Sequence, residues 1–163
     1  MDGLVIRRAA AGDSGFLRDM LVEAANGGAP SPRSRISVLE DPAVARYIDQ
    51  WPRPGDVGLV AIAADASPVG ACWARLFPAD APGSGFVASG VPELTLGVNS
   101  QWRALGVGRA LLQSLHSAAK AAGYTRLSLS VRRSNVARKL YVSEGYTVIA
   151  SDETADVMVR PLS

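Results

Sequence analysis

The chain has 163 residues, 48% of them hydrophobic and 20% charged, with a net charge of +2 and one cysteine. That length suits one domain, residues 1–163, and the charge is too small to argue for a nucleic-acid partner. Cys72 excludes an internal disulfide and fits a reducing cytoplasm, no apolar run reaches membrane-spanning length, and residues 1–11 lack the apolar stretch of a secretory leader. Arginine outnumbers lysine fifteen to two, which is genome composition of a bacterial kind and carries no functional weight.

In chain order, residues 4–7 predict a short strand. Asp13 is a suitable N-cap for a helix to about Ala25, with Phe16, Leu17, Met20, Leu21 and Ala24 on one face. Asn26-Gly27-Gly28-Ala29-Pro30-Ser31-Pro32 breaks that helix and predicts a flexible loop. Asp41-Pro42 opens a second helix through Tyr47 and Ile48, with proline where its missing N–H is no loss. Trp51-Pro52-Arg53-Pro54-Gly55 ends it. Residues 57–64 and 69–76 predict a hairpin about Asp65-Ala66-Ser67-Pro68. A Gly/Pro-rich loop over 78–91 follows. It and the loop over 26–36 are the expected walls of a ligand pocket, because long loops in compact domains are often functional.

The segment 93–112, ELTLGVNSQWRALGVGRALL, carries the strongest chemical signal. An alternating strand, with Leu94, Leu96 and Val98 on one face, leads to Arg103-Ala104-Leu105-Gly106-Val107-Gly108, where a helix begins. A glycine pair at a helix start lets backbone N–H groups approach an anion, and the helix dipole adds partial positive charge. Arg103 and Arg109 flank the turn with permanent charge. Chemically this is a pyrophosphate cradle. A dinucleotide-binding turn would need a third glycine where Leu111 stands and a shorter gap from the strand. The Gly-Lys-Ser/Thr triplet of a P-loop occurs nowhere.

Further on, residues 127–131 predict a strand, Arg132-Arg133-Ser134-Asn135 a turn, and residues 136–144 a helix stopped by Gly145 at C′. Residues 146–149 start another strand. Together the two segments resemble the R/Q-x-x-G-x-G/A and strand–Asn–helix–Leu-Tyr–Gly-aromatic signatures of the GNAT superfamily of acyl-CoA-dependent N-acetyltransferases. The resemblance covers roughly the last 110 residues and is weakest before Asp56. It implies an α/β (α+β) fold: a mixed, mostly antiparallel twisted sheet of six to seven strands flanked by about four helices. It also implies acetyl-CoA as co-substrate, bound by Arg103, Ala104, Leu105, Gly106, Val107, Gly108 and Arg109. Leu96 and Val98 on the signature strand would flank the cofactor, with an oxyanion donor near Val98, and Asn135 would cap its helix, touch the pantetheine or phosphate region, or both. No metal is expected.

Acetyl transfer needs a neutral nucleophile, whereas a lysine-like amine is neutral in about one molecule in a few thousand at pH 7. A carboxylate can relieve that penalty directly or through water. Glu93, opening the signature strand, is the candidate base, with Glu23, Glu40 and Asp41 as alternatives. The leaving thiol titrates near ~8.5, so a tyrosine hydroxyl can protonate it. Tyr141, set in Asn135-x5-Tyr141-x3-Gly145, is the candidate acid. One superfamily branch carries its base just before Val-Arg on the next strand. Ser130 stands there instead, which argues against a ribosomal-protein-type N-terminal acetyltransferase.

Cys72 and His116 read as structural, with no base or metal partner near them in sequence. Arg132-Arg133 and Arg138-Lys139 are a solvated face or a contact for the 3′-phosphate. Glu23, Glu40, Asp41, Tyr47 and Trp51 combine carboxylates with aromatics, which predicts a small cationic or aromatic amine as acceptor. The expected reaction is direct acetyl transfer to a primary amine in the cytoplasm, with no membrane partner and a homodimer possible. The competing class is a non-catalytic acyl-CoA-binding or regulatory module.

Overall fold

The computed structural model describes residues 3–163 and shows one seven-stranded sheet in the order β1-β2-β3-β4-β5-β7-β6. The strands are β1 Val5–Arg8, β2 Val57–Ile62, β3 Pro68–Arg75, β4 Glu93–Val98, β5 Arg126–Arg132, β6 Thr147–Ser151 and β7 Ala155–Pro161. Among the described residues there are five helices: α1 Ser14–Asn26, α2 Arg35–Glu40, α3 Pro42–Ala45, α4 Val107–Ala121 and α5 Ala137–Ser143. Neighbouring strands are antiparallel except β4 and β5, which are parallel. The expected mixed, mostly antiparallel architecture is present, with one helix more than foreseen. No helix among the described residues is long and apolar enough to cross a membrane.

Helices cover both faces of β2 and β3, and strand alternation sorts the two layers. Val57, Leu59, Cys72 and Ala74 share a core with Val107, Leu111, Leu112, Leu115 and Ala119 of α4. Val60, Ala71 and Trp73 pack instead with Leu17, Met20 and Leu21 of α1. The apolar stripe of α4 recurs at helical spacing, and each buried leucine contributes on the order of 2 kcal/mol. That packing, more than propensity, makes the helix. At the end of α5, Gly145 adopts φ +94°. Its N–H donates to Val142 O at 3.1 Å and the Tyr146 N–H to Tyr141 O at 3.0 Å, so the helix closes as the sequence implies.

Several expectations need correction. Asp13 makes no side-chain cap to α1. Its carboxylate takes two Arg7 nitrogens at 2.8 Å and the Ala10 N–H at 2.7 Å, closing a 3₁₀ turn instead. Helix α2 occupies part of the expected loop, capped where Ser34 Oγ accepts from the Ser37 N–H at 3.1 Å. The rest of that loop is tied down: Asn26 pairs with the Arg33 backbone at 2.8 and 2.9 Å, and Ser134 Oγ donates to Gly28 O at 2.6 Å. Helix α3 begins at Pro42 but stops at Ala45, short of Tyr47. The Arg46 and Asp49 carbonyls beyond it serve Arg75 Nη1, at 3.0 and 2.7 Å. Strand β7, inserted between β5 and β6, is the one of the seven strands whose position was not read from the sequence.

Arg75 and Asp56 form a buried bidentate pair, with Nε–Oδ1 at 3.1 Å and Nη2–Oδ2 at 2.8 Å. Because Arg75 also holds the carbonyls around Tyr47, this pair fixes the segment that carries Tyr47 into the site described below. Removing one partner strands a buried charge, so Asp56→Ala is expected to cost about 3–5 kcal/mol in urea unfolding. A loss within the ~1 kcal/mol of a surface pair would show that burial does not set its strength.

Candidate active site

Strands β4 and β5 share one ladder position, Glu93 opposite Ser128, where the Ser128 N–H donates to Pro92 O at 3.0 Å. Past it the strands part, leaving the β4 edge from Leu94 to Val98 without a strand partner on that side. A cavity of about 370 Å³ opens in the splay, walled by Glu93, Thr95, Ser130 and Tyr141. A second, of about 560 Å³, shares Leu96 and Asn135 with the first and reaches the turn before α4. The fold thus brings the two sequence motifs to one continuous opening.

In the second cavity, Gly106 turns the chain into α4 at φ +87°, a left-handed conformation that a side chain resists. The first-turn N–H groups of Val107, Gly108 and Arg109 have no acceptor within the helix and lie at its positive end. Leu96, Val98, Arg103, Ala104, Gly106, Gly108, Arg109 and Asn135 all line this space. The side chains of Leu105 and Val107 do not: Leu105 points to solvent and Val107 into the core. Neither arginine is a free charge. Arg103 pairs with Glu23 at 2.6 Å and donates to Val98 O at 3.3 Å. Arg109 pairs with Glu144 and donates to Ser143 Oγ at 3.0 Å. At this turn, backbone donors and the helix dipole therefore outweigh free side-chain charge. Asn135 Oδ1 accepts from the Ala137 N–H at 2.9 Å, capping α5 while its side chain stays at the junction of the cavities.

The arginines after β5 divide. Arg133 and Arg138 both grip Asp156, at 2.7 and 2.9 Å. With Ser151 they hold that carboxyl down at about 2. Arg132 instead crosses to α1, where Nη1 donates to Ala25 O at 2.8 Å.

Glu93 is 2% exposed at the wall of the first cavity. Its Oε2 accepts from the Tyr47 hydroxyl at 2.7 Å, and Oε1 has no partner among the described residues. Burial pushes this carboxyl above the ordinary range, opposed by the Tyr47 hydrogen bond, by the nearby Gly85 N–H and by the charge of Arg46. The Tyr47 hydroxyl also accepts from the Ser84 N–H at 2.9 Å, which draws the 78–91 loop over the carboxylate. Arg46 fastens the same loop through Pro82 O at 2.8 Å and Ala81 O, and lies 4.6 Å over the Phe77 ring. Gly83 permits this approach, since a Cβ there would collide with Glu93 Oε1 and push the carboxylate aside.

Tyr141 is buried but lines the same cavity, edge-on to Tyr146 with ring centroids 5.8 Å apart. Burial raises its hydroxyl, which is therefore protonated at neutral pH. His116 lies on the buried face of α4, with Nε2 2.8 Å from the Tyr146 hydroxyl. Burial pushes the imidazole down to about 4, so it is neutral. Cys72 is buried in the core and its thiol is pushed up, as suits a structural residue.

Of the five residues expected as an acceptor wall, Tyr47 alone lines the first cavity. Glu23 serves Arg103, and Asp41 caps α3 and pairs with Arg33 at 3.1 Å. Glu40 is exposed, and Trp51 is packed beneath α1 with Nε1 donating to Ala10 O at 3.1 Å. Not foreseen from sequence were Tyr47 as the partner of Glu93, and Ser84, Thr95 and Arg132 as cavity residues. The one signal for Ser84 was the length and glycine content of its loop.

The acetyltransferase (GNAT) family profile matches residues 20–146. No curated protein matches the chain. A GCN5-related N-acetyltransferase from Kribbella flavida is similar in structure, at 25% identity, 98% coverage of each chain and a TM-score of 0.70. PaiA N-acetyltransferase from Thermoplasma acidophilum, in complex with coenzyme A, is 19% identical over 97% of this chain and 98% of its own, with a TM-score of 0.70. YncA from Salmonella typhimurium, with its cofactor acetyl-CoA, is 19% identical over 98% of this chain and 94% of its own, with a TM-score of 0.69. On its profile, its sheet and its splayed β4–β5 opening, the chain belongs to the GNAT acetyltransferase family.

Proposed function

We propose that this protein moves an acetyl group directly from acetyl-CoA to a primary amine of a small acceptor, with Glu93 as base and Tyr141 as acid. One observation carries the reading: a buried carboxylate with a free oxygen and a protonated tyrosine line one cavity. Neighbours of the same fold hold coenzyme A or acetyl-CoA, which supports the same use of the cradle. The Gly106–Gly108 turn would take the pyrophosphate on backbone N–H groups, with Leu96, Val98 and Asn135 along the pantetheine arm. The free edge of β4 offers that arm a row of backbone partners.

Glu93 Oε1 takes a proton from the acceptor ammonium, freeing the nitrogen lone pair to bond the acetyl carbonyl carbon. N–H groups on the free β4 edge near Val98 hold the charge that develops on the carbonyl oxygen. As the C–S bond breaks, Tyr141 gives its proton to the sulfur. The nitrogen sheds two protons in all: Glu93 returns one to solvent, and the other restores Tyr141. Amide and free thiol are the products.

Tyr141→Phe tests this, since it removes one hydroxyl and almost no volume. Turnover is expected to fall by about 10²-fold or less, because a thiolate already leaves tolerably, with CoA affinity nearly unchanged. Full activity would remove the acid role. Cys72→Ala is expected to stay active without acetylated protein, and a trapped Cys72 thioester would replace direct transfer by a ping-pong route.

A further inference from the structure

The first cavity keeps two charged groups that the protein itself leaves unsatisfied. One is Glu93, whose Oε1 is buried and without a partner among the described residues. The other is Arg132. Its Nη1 donates to Ala25 O at 2.8 Å, and among the described residues its remaining donors meet no acceptor and no carboxylate forms an ion pair with it. The other charged residues of the wall are hydrogen-bonded within the protein, although Asp152 forms no ion pair among the described residues. Arg33 serves Asp41 at 3.1 Å and Ser37 at 2.8 and 3.2 Å, and Asp152 accepts from the Thr154 and Ala155 N–H groups at 2.8 Å.

The register spaces the two free groups along the opening. Glu93 stands opposite Ser128, and Arg132 lies four residues further along β5, about 13 Å at the backbone. A simple cationic amine held at Glu93 would share a cavity of about 370 Å³ with an unneutralised guanidinium. An amine that also carries an anion satisfies both ends at once.

We propose that the acceptor is a zwitterion, an amine with an anionic group several bonds away, its nitrogen at Glu93 and its anion in the fork of Arg132. This rests on the acetyl-transfer reading above and replaces the purely cationic acceptor expected from sequence. A guanidinium takes a carboxylate or a phosphonate in the same two-pronged way.

The test is thiol release from acetyl-CoA with matched pairs: ω-amino acids from glycine to 5-aminopentanoate against n-alkylamines of equal length. 3-Aminopropylphosphonate beside 4-aminobutanoate separates the two anions. The best amino acid is expected to exceed its alkylamine in kcat/KM by roughly 10–100-fold, the range of one charge-assisted hydrogen bond. In Arg132→Gln that preference should fall towards one, chiefly through KM, and Arg132→Lys should keep part of it. Thermal unfolding of both variants checks that they are folded. Alkylamines used as well as amino acids, or a preference that survives Arg132→Gln, overturns the zwitterion and leaves acetyl transfer standing. If acetyl-CoA binds and neither kind of amine releases thiol, acetyl transfer itself falls, and the zwitterion with it.

Discussion

Gly108→Glu is expected to abolish the stabilisation that coenzyme A gives this protein. At a ligand concentration of about 100 Kd, binding to the folded state adds roughly 2.7 kcal/mol. For a domain of this size that is a rise in Tm of about 5–11 °C. A Cβ at Gly108 would sit 3.4 Å from Leu140 Cδ2 and 3.7 Å from Leu96 Cδ2, ordinary contact distances. A glutamate at the first turn also suits the helix dipole, so the fold should hold. Its carboxylate, however, would stand where the first-turn N–H groups meet the pyrophosphate. Gly108→Ala, carrying the Cβ alone, should retain part of the shift. An undiminished shift in Gly108→Glu would put the cofactor elsewhere.

Glu93→Gln is expected to lower kcat by about 10²–10⁴-fold and to remove the pH dependence that Glu93 gives to stability. The geometry survives, because the Tyr47 hydroxyl can donate to the amide oxygen. The pH dependence follows from linkage. Burial raises the carboxyl above its unfolded value, so between the two the folded state binds more protons than the unfolded one. Wild-type stability should therefore fall as pH rises from the ordinary carboxyl range through the raised one, and the variant should lack that fall. Activity runs the other way, since the base must be ionised. Wild-type kcat/KM should climb across the same window, and the variant should lose that limb. An unchanged pH–rate profile in Glu93→Gln would place the base on another group.

What was legible in the sequence was local. The stripe of α4, the β2–β3 hairpin and the Gly145 stop are set by residues a few positions apart, where periodicity and turn chemistry act. The turn into α4 was legible because a glycine pair marks a helix start, and Gly106 there adopts φ +87°. Short α2 was missed since Val38 is its one buried residue, leaving no stripe to read, although Ser34 offered a cap. Strand β6 was legible from residues 146–149 although it is exposed along its whole length, whereas β7 finds its place only by pairing with β5 across the chain. The environment of Glu93 was illegible for the same reason. Its partner Tyr47 arrives from 46 positions away, held by a turn that Arg75 and Asp56 fix from beneath. Charges misled where they were counted as free: Arg103, Arg109 and Glu23 are mutually or locally neutralised, while Arg132, read as half of a surface pair, lines the first cavity without an ion-pair partner among the described residues.

The central claim is that the splay between β4 and β5 is a place of turnover and not only of binding. The measurement that bears on it most directly is the paired yield of free thiol and acetylated amine from acetyl-CoA and a varied amine. Equal amounts of the two products are expected, with rates saturating in both substrates, intersecting initial-rate lines and no acetylated protein. Tight acetyl-CoA binding with no amine-dependent thiol would contradict it and leave a cofactor-binding module.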